Sequence, residues 1–142
     1  MNDDALKMLL QLGRTQAQVA RDLERSLGNG IGYSDFTLMR ALAESPTGRL
    51  RPVDLADQLH LTASGVTRAL LPLEKIGMVA REREERDGRV SYARLTPAGA
   101  VIVAESGESA AYAATKIASK LSLGQTRQLS RLLEELVSLG RR

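Results

Sequence analysis

The spacing of apolar residues along this 142-residue chain predicts six helices and one pair of strands. In the first 27 residues, leucine, alanine and valine recur at intervals of three, four and seven, which is the pattern of an amphipathic helix with one buried face. The same period returns in five later stretches. After Met78, apolar and polar residues instead alternate with a period of two, which indicates strands. The predicted helices cover residues 4–27, 34–44, 52–59, 63–76 and 97–120, and a last helix begins near residue 122.

Residues that cap helices define several of these boundaries. The segment GNGIG (28–32) ends the first helix, because glycine stops a helix at little cost. Pro52 and Pro97 suit the first turn of a helix, where the missing N–H of proline leaves no bond unmade. Ser122 and Gln125 fit a capping box at the start of the last helix. The other candidate caps are Ser34 or Asp35, Thr62 or Ser64, and Thr96.

The order of these elements predicts the fold class. Two short helices, 52–59 and 63–76, are joined by a turn of about three or four residues, which is the arrangement of a helix-turn-helix. Asp87-Gly88 lies between two alternating runs and predicts a β-hairpin. We therefore expect a mainly α protein with a small β-hairpin wing, that is, a winged helix-turn-helix with long N- and C-terminal helices.

The terminal helices predict a second copy of the chain as a partner. We expect the winged helix-turn-helix module to occupy residues 34–95, and residues 1–33 and 96–142 to form a helical dimerisation region. The last helix carries a leucine stripe made of Leu129, Leu132, Leu133, Leu136 and Leu139. The alternative interpretation is that this stripe belongs to an internal core. Because the terminal helices are long relative to the module, we interpret them as the interface of a homodimer.

The second short helix has the composition of a helix that enters a DNA groove. Its predicted inner face is apolar and consists of Val66, Leu70, Leu73 and Ile76. The outer face near its N-terminus carries small or hydrogen-bonding residues and one arginine. Small residues allow a helix to touch base edges in the major groove, and serine, threonine and arginine can bond bases or phosphates. The candidate DNA-binding residues of this helix are Thr62, Ser64, Gly65, Thr67 and Arg68.

The predicted hairpin carries five arginines and four acids, so its net charge is small and the placement of each charge matters more. Strand alternation sends Arg81 and Arg83 to one face and Glu82 and Glu84 to the other. Under an alternative interpretation, these two arginines and Arg94 only balance cross-strand glutamates.

The tip of the hairpin is a candidate for minor-groove contact. Arg86 and Arg89 flank the turn, and a narrow minor groove attracts inserted arginine side chains. Asp87 would repel phosphate if it faced DNA, so we expect it to pair with Arg89 and, together with Gly88, to shape the tip.

Composition excludes several other kinds of site. The chain has no cysteine, and a single histidine, His60, which cannot form a metal site alone and is interpreted as a surface or cap residue. No phosphate-binding loop and no apolar run of the ~20 residues that span a membrane is present in the sequence. We therefore expect a cytoplasmic protein that is not an enzyme and has no metal, cofactor or membrane partner. The net charge of +3 permits a nucleic-acid partner without requiring one.

Two segments resemble the MarR family of bacterial transcription regulators. DGRVSYARLTPAG (87–99) fits that family's acid-x-Arg wing followed by Leu-Thr-x-x-Gly, and LTASGVTRALLPLEKIGMVAR (61–81) is similar to its recognition helix and the entry to the wing. The resemblance in layout extends over nearly the whole chain. It implies a homodimer built from the terminal helices. It also implies repression at a pseudo-palindromic operator in double-stranded DNA, often relieved by a small aromatic or amphipathic effector.

Pro72, inside the proposed recognition helix, departs from the commonest family pattern. It lacks a backbone donor and crowds the carbonyl of Arg68, so we expect the helix to bend or loosen there while residues 62–68 stay usable. The angle at which the helix docks is left open.

Two further interpretations remain open from sequence alone. An effector pocket between the modules is one role for Tyr33, Phe36, Met39 and Tyr112, and ordinary packing is the alternative for each. The chain can also be a winged-helix protein-interaction module without DNA binding. The polar, small-residue face of the recognition helix disfavours that alternative, because protein interfaces rely on large aromatic residues.

Overall fold

A computed structural model describes residues 3–139, and of Leu139 only the backbone, so the predicted interface role of the Leu139 side chain lies outside the described residues. Within that range the chain is mainly helical with a small antiparallel sheet, which confirms the predicted fold class. The elements in chain order are α1 (Asp3–Leu27), α2 (Tyr33–Glu44), β1 (Arg49–Leu50), α3 (Pro52–Leu59), α4 (Ala63–Lys75), β2 (Val79–Arg83), β3 (Ser91–Leu95), α5 (Pro97–Ile117) and α6 (Leu123–Leu139).

The sheet has three strands where the sequence predicted two. β3 is the central strand, with β2 on one side and the two-residue β1 on the other. β1 runs antiparallel to β3, and Arg49 lies opposite Arg94 while Leu50 lies opposite Ala93. The wing is therefore bonded to the segment that leads directly into α3, the first helix of the helix-turn-helix.

The hairpin loop is longer than the Asp-Gly signal suggests. The strands end at Arg83 and resume at Ser91, which leaves a seven-residue loop, 84–90, that we call the wing loop. The backbone N–H of Glu84 donates to the Val90 carbonyl (2.9 Å), and the Val90 N–H donates to the Asp87 carbonyl (3.0 Å). The tight turn thus comprises residues 87–90 at the end of the wing loop, and it does not by itself join the two strands.

The core is continuous across the predicted module boundaries. Leu27 and Ile31 before the module, and Val103 and Ala110 after it, join the buried residues of α2, α3 and α4 in one cluster. On α4, the residues predicted to face inward are buried except for Ile76, which is 62% exposed. The prediction for Ile76 was wrong because α4 ends at Lys75, so the helical period no longer applies.

Most of the predicted helix caps are present. Thr62 caps α4 and Thr96 caps α5, each by accepting the backbone N–H three residues later (3.0 Å in both). For α2 the cap is Gly32, not Ser34 or Asp35. Asp35 instead accepts the Gly32 N–H from inside the first turn (3.0 Å), and Glu24 of α1 accepts the next N–H along the chain.

Three hydrogen bonds tie α5 and its cap residue Thr96 to earlier parts of the chain. The Thr96 hydroxyl donates to the Gly77 carbonyl, and the Thr96 N–H donates to the Met78 carbonyl at 3.1 Å, which ties the start of α5 to the start of β2. The fully buried Ser106 donates its hydroxyl hydrogen to the Leu27 carbonyl (3.0 Å) at the end of α1. This bond satisfies a helix-end carbonyl that has no partner within its own helix.

The last helix stands apart from this core. Every side chain of α6 from residue 123 to residue 138 is exposed. Leu6, Leu9 and Leu10 of α1 are also at least half exposed. No helix in the described part of the chain is long and apolar enough to cross a membrane.

Candidate nucleic-acid interface

The N-terminal half of α4 presents a thin polar surface. Thr62, Ser64, Thr67 and Arg68 are exposed, and Gly65 is half-buried. All three hydroxyls have local partners: the Thr62 oxygen accepts the Gly65 N–H, the Thr62 and Ser64 hydroxyls share a hydrogen bond of 3.3 Å, and the Thr67 hydroxyl donates to the Ala63 carbonyl at 3.1 Å. These bonds shape the helix start and leave few long groups on its outer surface.

The structure shows why position 65 is a glycine, which the sequence did not reveal. A Cβ at this position would lie 3.0 Å from the Thr62 cap oxygen. Such a contact is tight enough to disturb the cap that holds the first turn of α4. Gly65 therefore preserves the helix start as well as its slim outer face.

Arg68 is the arginine of this surface. It is exposed, and no acidic side chain among residues 3–139 pairs with it. Proline four residues later does not end the helix, because α4 continues from Ala63 to Lys75 through Pro72. Pro72, where we expect a bend or a loosening, therefore lies inside one uninterrupted helix.

One face of the wing is basic. Arg81, Arg83 and Arg89, with Gly88 and Ser91, line a shared cleft of about 590 Å³. Arg81 is neutralised by Glu74 of α4 (Nε to Oε1, 2.5 Å), so its partner is a helix residue and not the cross-strand glutamate considered from sequence. Arg83 is exposed and unpaired within the described chain.

The tip of the wing holds the predicted acid–arginine pair. The Asp87 carboxylate accepts the Arg89 backbone N–H (3.0 Å) and the Arg89 Nε (3.1 Å). The hydrogen bonds from the Arg89 side chain, followed by that from its backbone, lower the pKa of Asp87 below its ordinary value. The Arg89 side chain is 92% exposed, so its charge stays available although it is oriented by Asp87. Arg86, in the same loop, is exposed and unpaired within residues 3–139.

The opposite face of the wing collects its acids. Glu82 forms ion pairs with both Arg94 (3.3 Å) and Arg49 (3.1 Å). Arg94 therefore neutralises a glutamate of the neighbouring strand, as the alternative interpretation of the sequence had it. Arg49 also reaches Glu84 at 3.5 Å. Sequence reasoning missed Arg49, because its position is set by β1, which pairs with a strand more than 40 residues away.

The four residues considered for an effector pocket have different surroundings. Phe36 and Met39 are buried in the core, Tyr33 is half-buried at the start of α2, and Tyr112 is 68% exposed on α5 with the Lys116 amine 4.5 Å from its ring centre. None of them lines the groove of about 1030 Å³ that lies between α2, the sheet and α5.

His60 has the cap position expected for it. It ends α3 in the left-handed conformation (φ 54°), and its N–H donates to the Ala56 carbonyl. The residue thus shapes the turn between the two helices of the helix-turn-helix.

Comparison with known proteins places this geometry among transcription regulators. Residues 29–90 match the family model of the MarR family. The chain is 31% identical over 133 residues to the HTH-type transcriptional regulator FarR of Neisseria gonorrhoeae, covering 92% of this chain and 90% of FarR. It is 26% identical over 140 residues to the homoprotocatechuate degradative operon repressor of Escherichia coli, covering 99% of this chain and 92% of that repressor.

A solved structure has a similar arrangement throughout. Sco3205, a MarR family transcriptional regulator from Streptomyces coelicolor crystallised in complex with DNA, superposes with a TM-score of 0.85 at 25% identity. The match covers 96% of this chain and 88% of Sco3205. All three compared proteins are regulators of transcription by name.

Proposed function

This chain belongs to the MarR family of transcription regulators, and from that premise we propose that it is a homodimeric repressor of a pseudo-palindromic operator. Residues 34–95 form the DNA-binding module, and residues 1–33 with 96–142 form the dimerisation region. In each subunit α4 enters the major groove and arginines of the wing enter the neighbouring minor groove. A small aromatic or amphipathic effector relieves repression.

The observation that carries this proposal is the pair of exposed, unpaired arginines on two joined elements. Arg68 on α4 and Arg83 on β2 have no acidic partner in the described chain, and the bond between Arg81 and Glu74 holds the two elements together. Cations that lack internal partners are available to phosphates and base edges. Arg86 and Arg89 add two exposed cations at the wing loop.

The recognition helix supports a specific reading of bases. Ser64, Thr67 and Gly65 are too short to hold the helix away from the groove floor. Arg68 is long enough to reach a guanine edge, where arginine forms two parallel hydrogen bonds. Thr62 acts mainly as the cap that aims the helix N-terminus, whose partial positive charge favours phosphate.

The dimer is supported by α6. Leu129, Leu132 and Leu136 are 47%, 50% and 38% exposed, on a helix without a single buried side chain among residues 123–138. Monomeric proteins rarely expose large contiguous apolar patches. A second copy would cover it and would set the two α4 helices about one turn of DNA, ~34 Å, apart.

Selection of bound sequences from random DNA tests the repressor proposal. We expect a motif with two-fold symmetry, and for Arg68→Gln we expect one guanine of each half-site to change to adenine, because glutamine pairs with adenine as arginine does with guanine. The discrimination expected at that position is about 1–3 kcal/mol, or roughly 5- to 150-fold. Arg40→Gln is the control, because Arg40 is exposed on α2 and pairs with Glu44.

The outcomes separate the proposal from its alternative. A symmetric motif that does not change with Arg68→Gln would leave DNA binding intact and remove the base-reading role of Arg68. Selection that enriches no motif for the wild type would favour a protein-interaction module.

Disrupting the leucine stripe tests the dimer. We expect Leu132→Asp to convert the dimer to monomer in sedimentation at micromolar concentration, because a charge would have to be buried in an apolar interface. Val53→Asp is the control, because Val53 is equally exposed (50%) but lies on α3. A wild-type protein that sediments as a monomer would contradict the dimer proposal.

The effector proposal rests on the joint between α1 and α2. Glu24 of α1 accepts the Tyr33 N–H (2.7 Å), so a ligand beside Tyr33 would act on the connection between the two regions. Phe36 and Met39 are closed inside the core, so a ligand reaches them only by opening that core, whereas Tyr112 is accessible. A panel of aromatic acids and phenols added to the operator complex tests this: we expect release with wild type and loss of the response, with DNA binding retained, in Tyr33→Ala.

A further inference from the structure

Arg49, which was not selected from the sequence, contacts Glu82 on β2, Tyr92 on β3 and Glu84 in the wing loop. We propose that Arg49 is a positioning residue that sets the angle between the wing and the helix-turn-helix; this rests on the proposed DNA-binding function. Arg49 does not contact DNA in this proposal. It acts through the strands and the wing loop that it holds.

The side chain of Arg49 spans the sheet. It begins on β1, passes the central strand β3 and reaches Glu82 on β2, with Nη1 3.1 Å from the Glu82 Oε1. Its other terminal nitrogen, Nη2, lies 3.5 Å from Oε2 of Glu84, the first residue of the wing loop. One guanidinium therefore links all three strands and the base of the loop that carries Arg86 and Arg89.

An aromatic ring fixes the plane of this guanidinium. The Cζ atom of Arg49 lies 3.9 Å from the ring centre of Tyr92 on β3. Tyr92 is directly opposite Glu82 in the sheet, so ring and carboxylate hold Arg49 from two sides. Arginine stacks on a ring and donates in a fork at the same time, which the point charge of a lysine does not do.

The location of Arg49 in the chain explains how its ion pairs can orient the wing relative to the helix-turn-helix. β1 ends at Leu50, and Arg51 caps α3, whose first residue is Pro52. The strand is thus continuous with the helix-turn-helix, while the acids it binds belong to the hairpin. Together with the Arg81–Glu74 bond on the other face, Arg49 secures the wing from both sides.

The face on which Arg49 lies separates it from DNA. Register partners share a face of the sheet, so Arg49 lies with Arg94, Tyr92 and Glu82. The basic cleft with Arg83 lies on the opposite face, because alternate residues of a strand point to opposite sides. A side chain directed to the acidic face and paired there has no phosphate of its own to neutralise when the basic face meets DNA.

Binding to the selected operator at several salt concentrations tests the proposal. We expect Arg49→Ala to weaken binding about 10-fold (~1.4 kcal/mol) and Arg49→Lys to be intermediate. The slope of log K against log salt should stay at the wild-type value in both. Arg83→Ala should instead reduce the magnitude of that slope by about 0.9 for each phosphate that the side chain neutralises in the wild type. Arg40→Ala, which removes the same charge from an ion pair on α2, should bind like wild type.

Removing the acids provides a stricter comparison. If charge alone governed affinity, the double variant Glu82→Gln/Glu84→Gln would bind DNA more tightly, because two negative charges are removed. If Arg49 acts by positioning, the double variant should bind DNA more weakly, because it removes both carboxylates with which Arg49 forms ion pairs. Tighter binding of the double variant would overturn the proposal.

Amide hydrogen exchange in the DNA-free protein makes the test independent of DNA binding. We expect exchange at Glu84, whose N–H is bonded within the wing loop, to be at least about 5-fold faster in Arg49→Ala and unchanged in Arg40→Ala. Unchanged exchange, or a salt slope that falls as in Arg83→Ala, would overturn the positioning role. A wild type that selects no motif would instead overturn the proposed function, and with it any role of Arg49 at DNA.

Discussion

Replacing Gly99 by alanine tests the joint between α5 and β2. A Cβ at this position would overlap the Met78 carbonyl oxygen and lie 3.0 Å from the carbonyl carbon. Both atoms belong to the backbone, so they cannot rotate away as a flexible side chain would. The start of α5 must therefore move away from β2, which also stretches the bonds from Thr96 to the Gly77 and Met78 carbonyls.

The expected loss of stability follows from these contacts. Overpacking costs about 1–3 kcal/mol. Two weakened hydrogen bonds cost roughly 0.5–1.5 kcal/mol each, and the higher helix propensity of alanine returns up to ~1 kcal/mol. We expect Gly99→Ala to lower the free energy of unfolding by about 3 kcal/mol.

Gly107 provides the matched control, because it lies in the same helix and a Cβ there meets no atom within 4 Å. We expect Gly107→Ala to leave stability unchanged or to raise it by up to about 1 kcal/mol. Urea unfolding of the three proteins at one protein concentration measures the difference. If Gly99→Ala unfolds at or above the wild-type midpoint, the steric reasoning is refuted.

Three other predictions use the same structure. Ser106→Ala should cost about 2 kcal/mol in urea unfolding, because it leaves the buried Leu27 carbonyl without its donor, and a loss below about 0.5 kcal/mol would contradict that bond. The Asp87 carboxyl, followed by NMR, should titrate below its ordinary pKa of 3.8 and return towards it in Arg89→Ala; because that pKa is lowered on folding, the pair is intact at neutral pH and is lost as pH falls through the lowered pKa. Pro72→Ala should raise the free energy of unfolding by about 1–3 kcal/mol, because it restores a helix-interior N–H, and an unchanged urea midpoint would argue against strain at this position.

Features encoded by neighbouring residues were predictable from the sequence. The cap of α4 at Thr62, that of α5 at Thr96 and the Ser122–Gln125 capping box are all present, because each depends on residues only three positions apart. The pairing of Asp87 with Arg89 is equally local. Helix bounds derived from such signals agree with the structure to within a few residues.

Features that depend on distant pairing were not predictable. β1 is only two residues long and has no alternation of its own, so it exists because β3 is adjacent. Arg81 finds its partner Glu74 across the junction of α4 and β2, and Arg49 finds Glu82 across the sheet. Such pairings need the assembled fold, because no spacing in the sequence relates the two residues.

The sorting of charges by face allows a nearly neutral hairpin to present a basic surface to the polyanionic partner that we propose. The acids Glu82 and Glu84 are neutralised on one face by Arg49 and Arg94, while Arg83 on the other face keeps an uncompensated charge. The field at a phosphate depends on the nearest unpaired charges, since the Debye length at physiological salt is about 8 Å. Total charge is therefore a poor guide for this wing. Shifting β2 by one residue against β3 would bring its acid to the basic face, so the register of this strand pair determines which charges each face of the wing presents.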